Sequence, residues 1–250
     1  TKGGSGKRSP EEKLAEQARE LRELDSARTN LLSSLSRYGP RVLERYPGAS
    51  GICSEPLEIL SALYNGEMQP LLEPTGDAGQ YLPYKRISFG LDALHLKGAS
   101  AETSRFGAIV SIKDYPATTG PGMLDNLLRL PHELTLTESF AFVDRQIADE
   151  RIGLALRRLR AASDETTTLR QGLLGAKDEL TGGAAAYGEH HLSVHVRAGS
   201  LSALDAAVSD VQASLADIGA VSVREDLNLE SAFWGQFPGN AEFIARKALV

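Results

Sequence analysis

Three histidines fall within six residues, His190, His191 and His195, and imidazole is the commonest metal-binding side chain. On a helix, His191 and His195 would share a face at ligand distance. Their surroundings alternate instead, with Leu192, Val194 and Val196 set against His191, Ser193, His195 and Arg197. That is the pattern of a half-buried strand. On a strand, positions four apart lie roughly 13 Å apart, too far to share one ion, and His190 points to the opposite face. The cluster is read as structural or surface histidine, and no metal ligand is assigned.

Other chemistry-bearing residues carry less. Gly3, Gly4, Gly6 and Lys7 superficially resemble a phosphate-binding loop, but a Walker A motif needs two glycines four residues apart, then Lys and Ser or Thr. Here the glycines crowd together, Arg8 stands in the hydroxyl position, and no strand precedes them. Asp114, Glu138, Glu225 and Asp226 could supply an acid–base pair, yet nothing in their spacing makes one specific. Cys53 is the only cysteine, which excludes an intramolecular disulfide or a multi-cysteine zinc site. Arg151, Arg157, Arg158 and Arg160 could touch an anionic partner, but Asp149, Glu150, Asp164 and Glu165 offset them. With a net charge of −6, the chain lacks the basic balance typical of nucleic-acid binders. No catalytic residue, cofactor ligand or metal ligand is assigned.

The most informative group is aromatic. Phe233, Trp234 and Phe237 precede Pro238-Gly239-Asn240, and Trp234 is the only tryptophan. These six residues are the candidate interdomain or interface surface. They could plug an exit segment onto a sheet, form a joint to a further domain, or do both.

The elements that must position these groups can be read from periodicity. Residues 1–8 read as a linker or disordered start. Ser9-Pro10-Glu11-Glu12 opens a long helix with a capping box. Leu14, Ala18, Leu21, Leu24, Leu31, Leu32, Leu35 and Tyr38 mark an apolar stripe interrupted by Arg28, so the helix is expected to pack by that stripe along the domain or against a partner. Arg41–Tyr46 is expected to continue as a short helix before a Pro47-Gly48 turn. A second capped helix covers Glu55–Tyr64 and stops at Asn65-Gly66, and Tyr84–Leu96 predicts a hairpin. Residues 9–105 thus form a helical segment plus a β-hairpin packing on the core.

Residues 106–228 predict a split βαβ domain. Its first unit is a strand at Phe106–Lys113, a helix at Pro121–Leu130, and a strand at Leu134–Phe142 whose polar face looks outward. Its second is the histidine strand, a helix from Ser200 to a Gly219 cap, and a strand through Val221 and Val223. A helical hairpin over 143–183, turning near Ser163-Asp164, separates the two. The fold class is therefore α+β, with two βαβ units in a ferredoxin-like arrangement, a long inserted helical hairpin and a long N-terminal helix. Residues 229–250 form an exit segment. No apolar run is long enough to span a membrane.

The stretches "YGEHHLSV" from Tyr187, "VREDLNLESAFWGQFPGN" from Val223 and "ARKAL" from Ala245 resemble the CagE/TrbE/VirB family. So do "FGAIVSIKDYPATTGPGMLDNLLRLPHELTLTESFAF" and "RYGPRVLERYPGASGICSEPLEILSALYNGE", so the resemblance covers nearly the whole chain in order. The family's members are ATPases that power type IV secretion and conjugation. The resemblance implies that this region lies upstream of a RecA-like core absent from the sequence. ATP and Mg would bind in that missing domain, towards which residues 229–250 would lead. It also implies a dimer or hexamer at the cytoplasmic face of the bacterial inner membrane, contacting other inner-membrane components of the machine and not nucleic acid directly. The chain itself would be a non-catalytic region serving assembly. The competing expectation is a self-contained ferredoxin-like ligand-binding or regulatory module.

Overall fold

The computed structural model describes residues 9–116, 118–161 and 167–249. The Gly3–Lys7 stretch and the expected turn near Ser163-Asp164 lie outside them. The chain divides into two compact units, Thr1–Tyr46 and Pro47–Val250.

The first unit is dominated by α1 (Pro10–Ser34). Its capping box is formed: the Glu12 amide donates to Ser9 Oγ at 3.1 Å, and the Ser9 amide to Glu12 Oε2 at 2.8 Å. A 3₁₀ turn over Ser36–Tyr38 ends at Gly39, whose φ of 63° is left-handed. Within this unit no residue of α1 is buried. The expected helix over Arg41–Tyr46 is absent. Proline disfavours helical geometry in the residue before it, so Tyr46 ahead of Pro47 is extended and belongs to β1 (Arg45–Gly48). The chain crosses between units inside β1 and turns back at once into β2 (Gly51–Ser54).

In the second unit, α2 (Glu55–Asn65) ends in a left-handed glycine cap at Gly66, φ 77°. Its last residue, Asn65, is fully buried and organises the following loop. The Asn65 Nδ2 group donates to the Leu82 carbonyl at 2.8 Å, and its Oδ1 accepts from the Tyr84 and Lys85 amides at 3.1 and 3.0 Å. That anchors the hairpin of β3 (Arg86–Phe89) and β4 (Leu94–Lys97).

The main sheet has seven strands. The unit β5 (Arg105–Asp114), α3 (Asp125–Leu128), β6 (Glu133–Phe142) is followed by β7 (Gly188–Ala198), α6 (Leu201–Asp217), β8 (Val221–Arg224). Between them lie α4 (Arg145–Ala161) and α5 (Thr167–Gly182). The strands run β8-β5-β7-β6, every neighbour antiparallel, so each unit's two strands are separated by a strand of the other. β4 continues the sheet beside the first half of β5, and β8 occupies the second half. The chain is thus of the α+β class.

One sheet face packs against α6. Val110, Val194 and Val196 meet Leu204, Val208, Val211 and Leu215, all buried. Ser200 caps the helix, its Oγ accepting from the Ala203 amide at 3.2 Å, and Gly219 leaves it at φ 81°. Leu201, expected on the buried face, is half exposed. The expected Pro121–Leu130 helix shrinks to α3, since Gly122 at φ 80° keeps the backbone before it non-helical; Leu127 still reaches the core. The helices α4 and α5 share a small core of Ala148, Ile152, Leu156 and Leu180.

The expectation of a half-buried β7 is corrected. His191, Ser193 and His195 are buried as well as Val194 and Val196, because a further helix covers the opposite face. Alternation reports a difference in polarity between faces, which a central strand can keep while burying both.

Candidate interdomain surface

The covering helix is α7 (Leu229–Trp234), short because only Leu229, Ala232 and Phe233, at i, i+3 and i+4, need to face the sheet. They pack on Leu94, Leu96 and Ile109. Phe233 is fully buried at the centre of a ring cluster. Its centroid lies 5.2 Å from Trp234, 5.6 Å from Phe89, 5.8 Å from His195, 6.0 Å from Phe237 and 6.3 Å from Tyr64. All five contacts are edge-to-face, the arrangement the ring quadrupole favours. Trp234 and Phe237 are half-buried at the rim, 5.7 Å apart.

Phe237-Pro238-Gly239-Asn240 then reverses the chain. The Asn240 amide donates to the Phe237 carbonyl at 3.1 Å, and Gly239 has φ 89°. Proline at the second position and a positive-φ glycine at the third are what a type II turn requires. The Asn240 Nδ2 group closes the turn onto the Trp234 carbonyl at 3.2 Å. Pro238 and Gly239 are exposed at its tip. Gly239→Ala meets no neighbouring atom, so its cost is backbone strain alone, about 1–2 kcal/mol. A urea-midpoint shift of that size with an unchanged slope is the expected result.

The sheet face beneath α7 also carries polar groups. Ser111, Ser193 and His195 are buried there, and Gln236 descends from above. Burial, aided by the neighbouring Arg197 charge, pushes the His195 pKa down to about 3, with Gln236 opposing; the ring is neutral. The His191 pKa is lowered too, by burial first, against the opposing charge of Glu225. Arg197 Nη1 donates to Thr135 Oγ1 at 2.8 Å and reaches His195 Nδ1 at 3.5 Å. His190 faces the other way, sharing a 2.7 Å hydrogen bond with Tyr115, whose pKa burial raises to about 12. The three histidines are not brought together, and no group of three or more metal-ligating side chains occurs among the described residues.

After the turn the segment is strapped back to the sheet. Ser231 Oγ donates to the Phe243 carbonyl at 2.9 Å, Ile244 is buried, and Arg246 forms an ion pair with the buried carboxylate of Glu225. This uses one of the four carboxylates weighed for acid–base chemistry. Then β9 (Ala248–Leu249) pairs with Glu189 and His190 of β7. Residues 229–249 therefore return along the sheet. The pairing partners Arg246 and Glu225 lie too far apart in sequence for spacing to have revealed them.

Between this segment and β6 lies an open groove of about 500 Å³. Thr135, Thr137 and Ser139 form one wall; Gln236, Phe237, Pro238 and Ile244 form the other. The polar face of β6 thus looks across the groove at the returning segment. Its alternation was visible in the sequence, but the opposing wall was not. Of the six candidate residues, Phe233 is core, Trp234, Phe237 and Asn240 are rim, and Pro238 and Gly239 are the accessible tip.

Residues 41–246 match the model of the CagE, TrbE, VirB family, described as a component of the type IV transporter system. The type IV secretion system protein virB4 of Bartonella henselae is 34% identical over 230 residues, covering 92% of this chain and 29% of that protein. The protein virB4 of Agrobacterium fabrum is 31% identical over 243 residues, covering 97% and 30%. The virB4 protein of Brucella melitensis biotype 1 is 29% identical over 248 residues, covering 96% and 30%. The chain thus spans about 30% of the length of these relatives.

Proposed function

The chain belongs to the CagE, TrbE, VirB family, and from that premise we propose that it is a non-catalytic region of a type IV secretion ATPase that serves assembly and partner contact. One observation carries the reading: an aromatic-anchored segment returns across the sheet and leaves the Pro238-Gly239 tip and a hydroxyl-walled groove accessible. A fixed anchor beside an accessible rim suits a docking surface, where a buried aromatic centre is framed by polar positions. The ligand-module alternative calls for a closed apolar pocket, and this groove is open with threonine and serine along one wall.

On this reading, ATP and Mg bind a RecA-like domain elsewhere in the intact protein. That protein works as a dimer or hexamer at the cytoplasmic face of the inner membrane, beside other inner-membrane components of the machine. We read the strand order β8-β5-β7-β6 as ferredoxin-like. No helix among the described residues is long and apolar enough to cross a membrane.

Two measurements test the proposal. The purified 250-residue chain is expected to hydrolyse no ATP above a protein-free blank. Turnover that follows the protein through successive separations would overturn the non-catalytic reading. In the intact protein, Thr137→Arg fills the groove, and is expected to abolish substrate transfer while leaving ATP hydrolysis in place. Undiminished transfer would remove the groove from the contact surface.

A further inference from the structure

Asn65-Gly66 is the only Asn-Gly step in the chain. Such a step is labile in an open chain. The side-chain amide carbon of asparagine lies one ring closure from the next backbone nitrogen, and glycine, having no Cβ, leaves that nitrogen unhindered. The fold places the step at one of its most tightly held points. Asn65 is fully buried at the end of α2. Its Nδ2 group donates to the Ser61 carbonyl at 2.9 Å, to Ser61 Oγ at 2.9 Å and to the Leu82 carbonyl at 2.8 Å. Its Oδ1 accepts from the Tyr84 and Lys85 amides. The Gly66 amide, which would be the attacking group, donates to the Ala62 carbonyl at 2.9 Å.

We propose that Asn65-Gly66 is a latent self-modification site: the fold holds it shut, and deamidation on opening makes loss of the β3–β4 hairpin irreversible. The reaction needs only water. The Gly66 nitrogen sheds its proton to solvent and bonds to Asn65 Cγ. The Cγ–Nδ2 bond breaks, and the Nδ2 group takes up a proton and leaves as ammonia, giving a five-membered succinimide. Water then opens the ring at one of its two carbonyls. The product is aspartate, or isoaspartate in which the main chain runs through the side chain. Nothing is oxidised or reduced.

Closure is blocked in the folded chain. The Gly66 nitrogen must swing about the Asn65 Cα–C bond into line with Cβ and Cγ, and helical geometry at the last residue of α2 keeps it out of line. That swing breaks the Gly66–Ala62 hydrogen bond and pulls the side chain off its partners in Ser61, Leu82, Tyr84 and Lys85. Burial also keeps water from Asn65. Release of the hairpin removes all of this protection at once. The product then cannot return. Aspartate sets an oxygen where Nδ2 stood, facing the Ser61 and Leu82 carbonyls, and buries a charge among acceptors. Isoaspartate lengthens the main chain just before the left-handed cap at Gly66, where even a Cβ would lie 3.0 Å from Leu96 and Arg197. Since β4 carries Leu94 and Leu96, on which Phe233 rests, the damage reaches the aromatic anchor.

The test holds the purified 250-residue chain in mildly alkaline buffer, either folded or in guanidinium chloride above its unfolding midpoint. Mass spectrometry follows the peptide containing Asn65, with isoaspartate separated by chromatography. Conversion is expected to be at least about 100-fold slower in the folded chain, because the reaction draws on the open form alone. On removal of denaturant, the refolded fraction should fall in step with the converted fraction at residue 65. Asn65→Asp is expected to lose the cooperative unfolding of the second unit, and the aged parent chain reads the same point without a variant. Equal conversion rates in the folded and unfolded chains would overturn the proposal. So would converted chains that refold with the parent's midpoint, or deamidation in denaturant confined to other asparagines. Every bond in the proposal lies within the second unit, and none of these outcomes bears on ATP hydrolysis or substrate transfer, so failure here leaves the proposed function standing.

Discussion

Phe233→Ala is expected to cost about 3–5 kcal/mol, a large part of the stability of an ordinary domain. The ring is fully buried, and its removal empties the point on which Tyr64, Phe89, His195, Trp234 and Phe237 converge. The surroundings cannot close over the cavity easily. Phe89 is held in a strand, His195 in the central strand, and Tyr64 on a helix pinned by the Asn65 hydrogen bonds. Chemical unfolding checks the magnitude. Emission from Trp234, the only tryptophan, checks the mechanism: its ring is 5.2 Å from Phe233 and should report greater exposure even before global unfolding. Leu227→Ala, at a side chain 93% exposed, is the control and should shift stability by no more than about 0.5 kcal/mol. A Phe233→Ala protein as stable as that control would mean that α7 is not fastened through this ring.

The second large effect is on acid stability. His195 in the folded chain has a pKa near 3, against an ordinary value of 6.5. Between those limits the unfolded chain takes up a proton that the folded chain refuses, so acid favours unfolding. The contribution is fully present above about pH 6.5 and is lost as pH falls towards 3, at up to about 1.4 kcal/mol per pH unit. His191, lowered by burial, acts in the same direction. The groups facing His195 are Arg197, whose charge reinforces the shift, Gln236, which opposes it, and the apolar ring of Phe233. Urea unfolding at intervals from pH 7 to pH 4 should show the decline, and His195→Leu should flatten it whatever its effect at neutral pH. Equal slopes for the two proteins would show that the unfolded and folded chains protonate this residue alike.

Much of the fold was legible because its elements announce themselves locally. Ser9 with Glu12 and Ser200 with Gly219 mark helix ends by side-chain and backbone chemistry within a few residues. The strands β5, β6 and β7 stand out by alternation or β-branching. The errors arose where the outcome depends on what lies across the element. The stripe on α1 and the alternation of β7 each describe a difference between two faces, and neither says what covers them. Thus β7 was read as a half-buried strand, whereas both of its faces are covered. At the candidate surface, the six residues from Phe233 to Asn240 were visible from aromatic content and the Pro-Gly turn. Gln236 was passed over because a lone glutamine carries no pattern. The Arg246–Glu225 pair and the wall of Thr135, Thr137 and Ser139 depend on tertiary contacts that no local spacing encodes.

The returning segment also has a mechanical character. Its fastenings lie in series from residue 249 inward: a two-residue ladder of β9 on β7, then the Arg246–Glu225 pair, then the ring cluster around Phe233. Tension applied at that end loads the weakest fastening first and reaches the aromatic anchor last. Small pulls would peel only β9, lengthening the tether by a few residues while the sheet stays intact. Larger ones would have to extract Phe233, and with it the cover over His195. The segment is therefore a graded spring, compliant at its outer end and rigid where it enters the core.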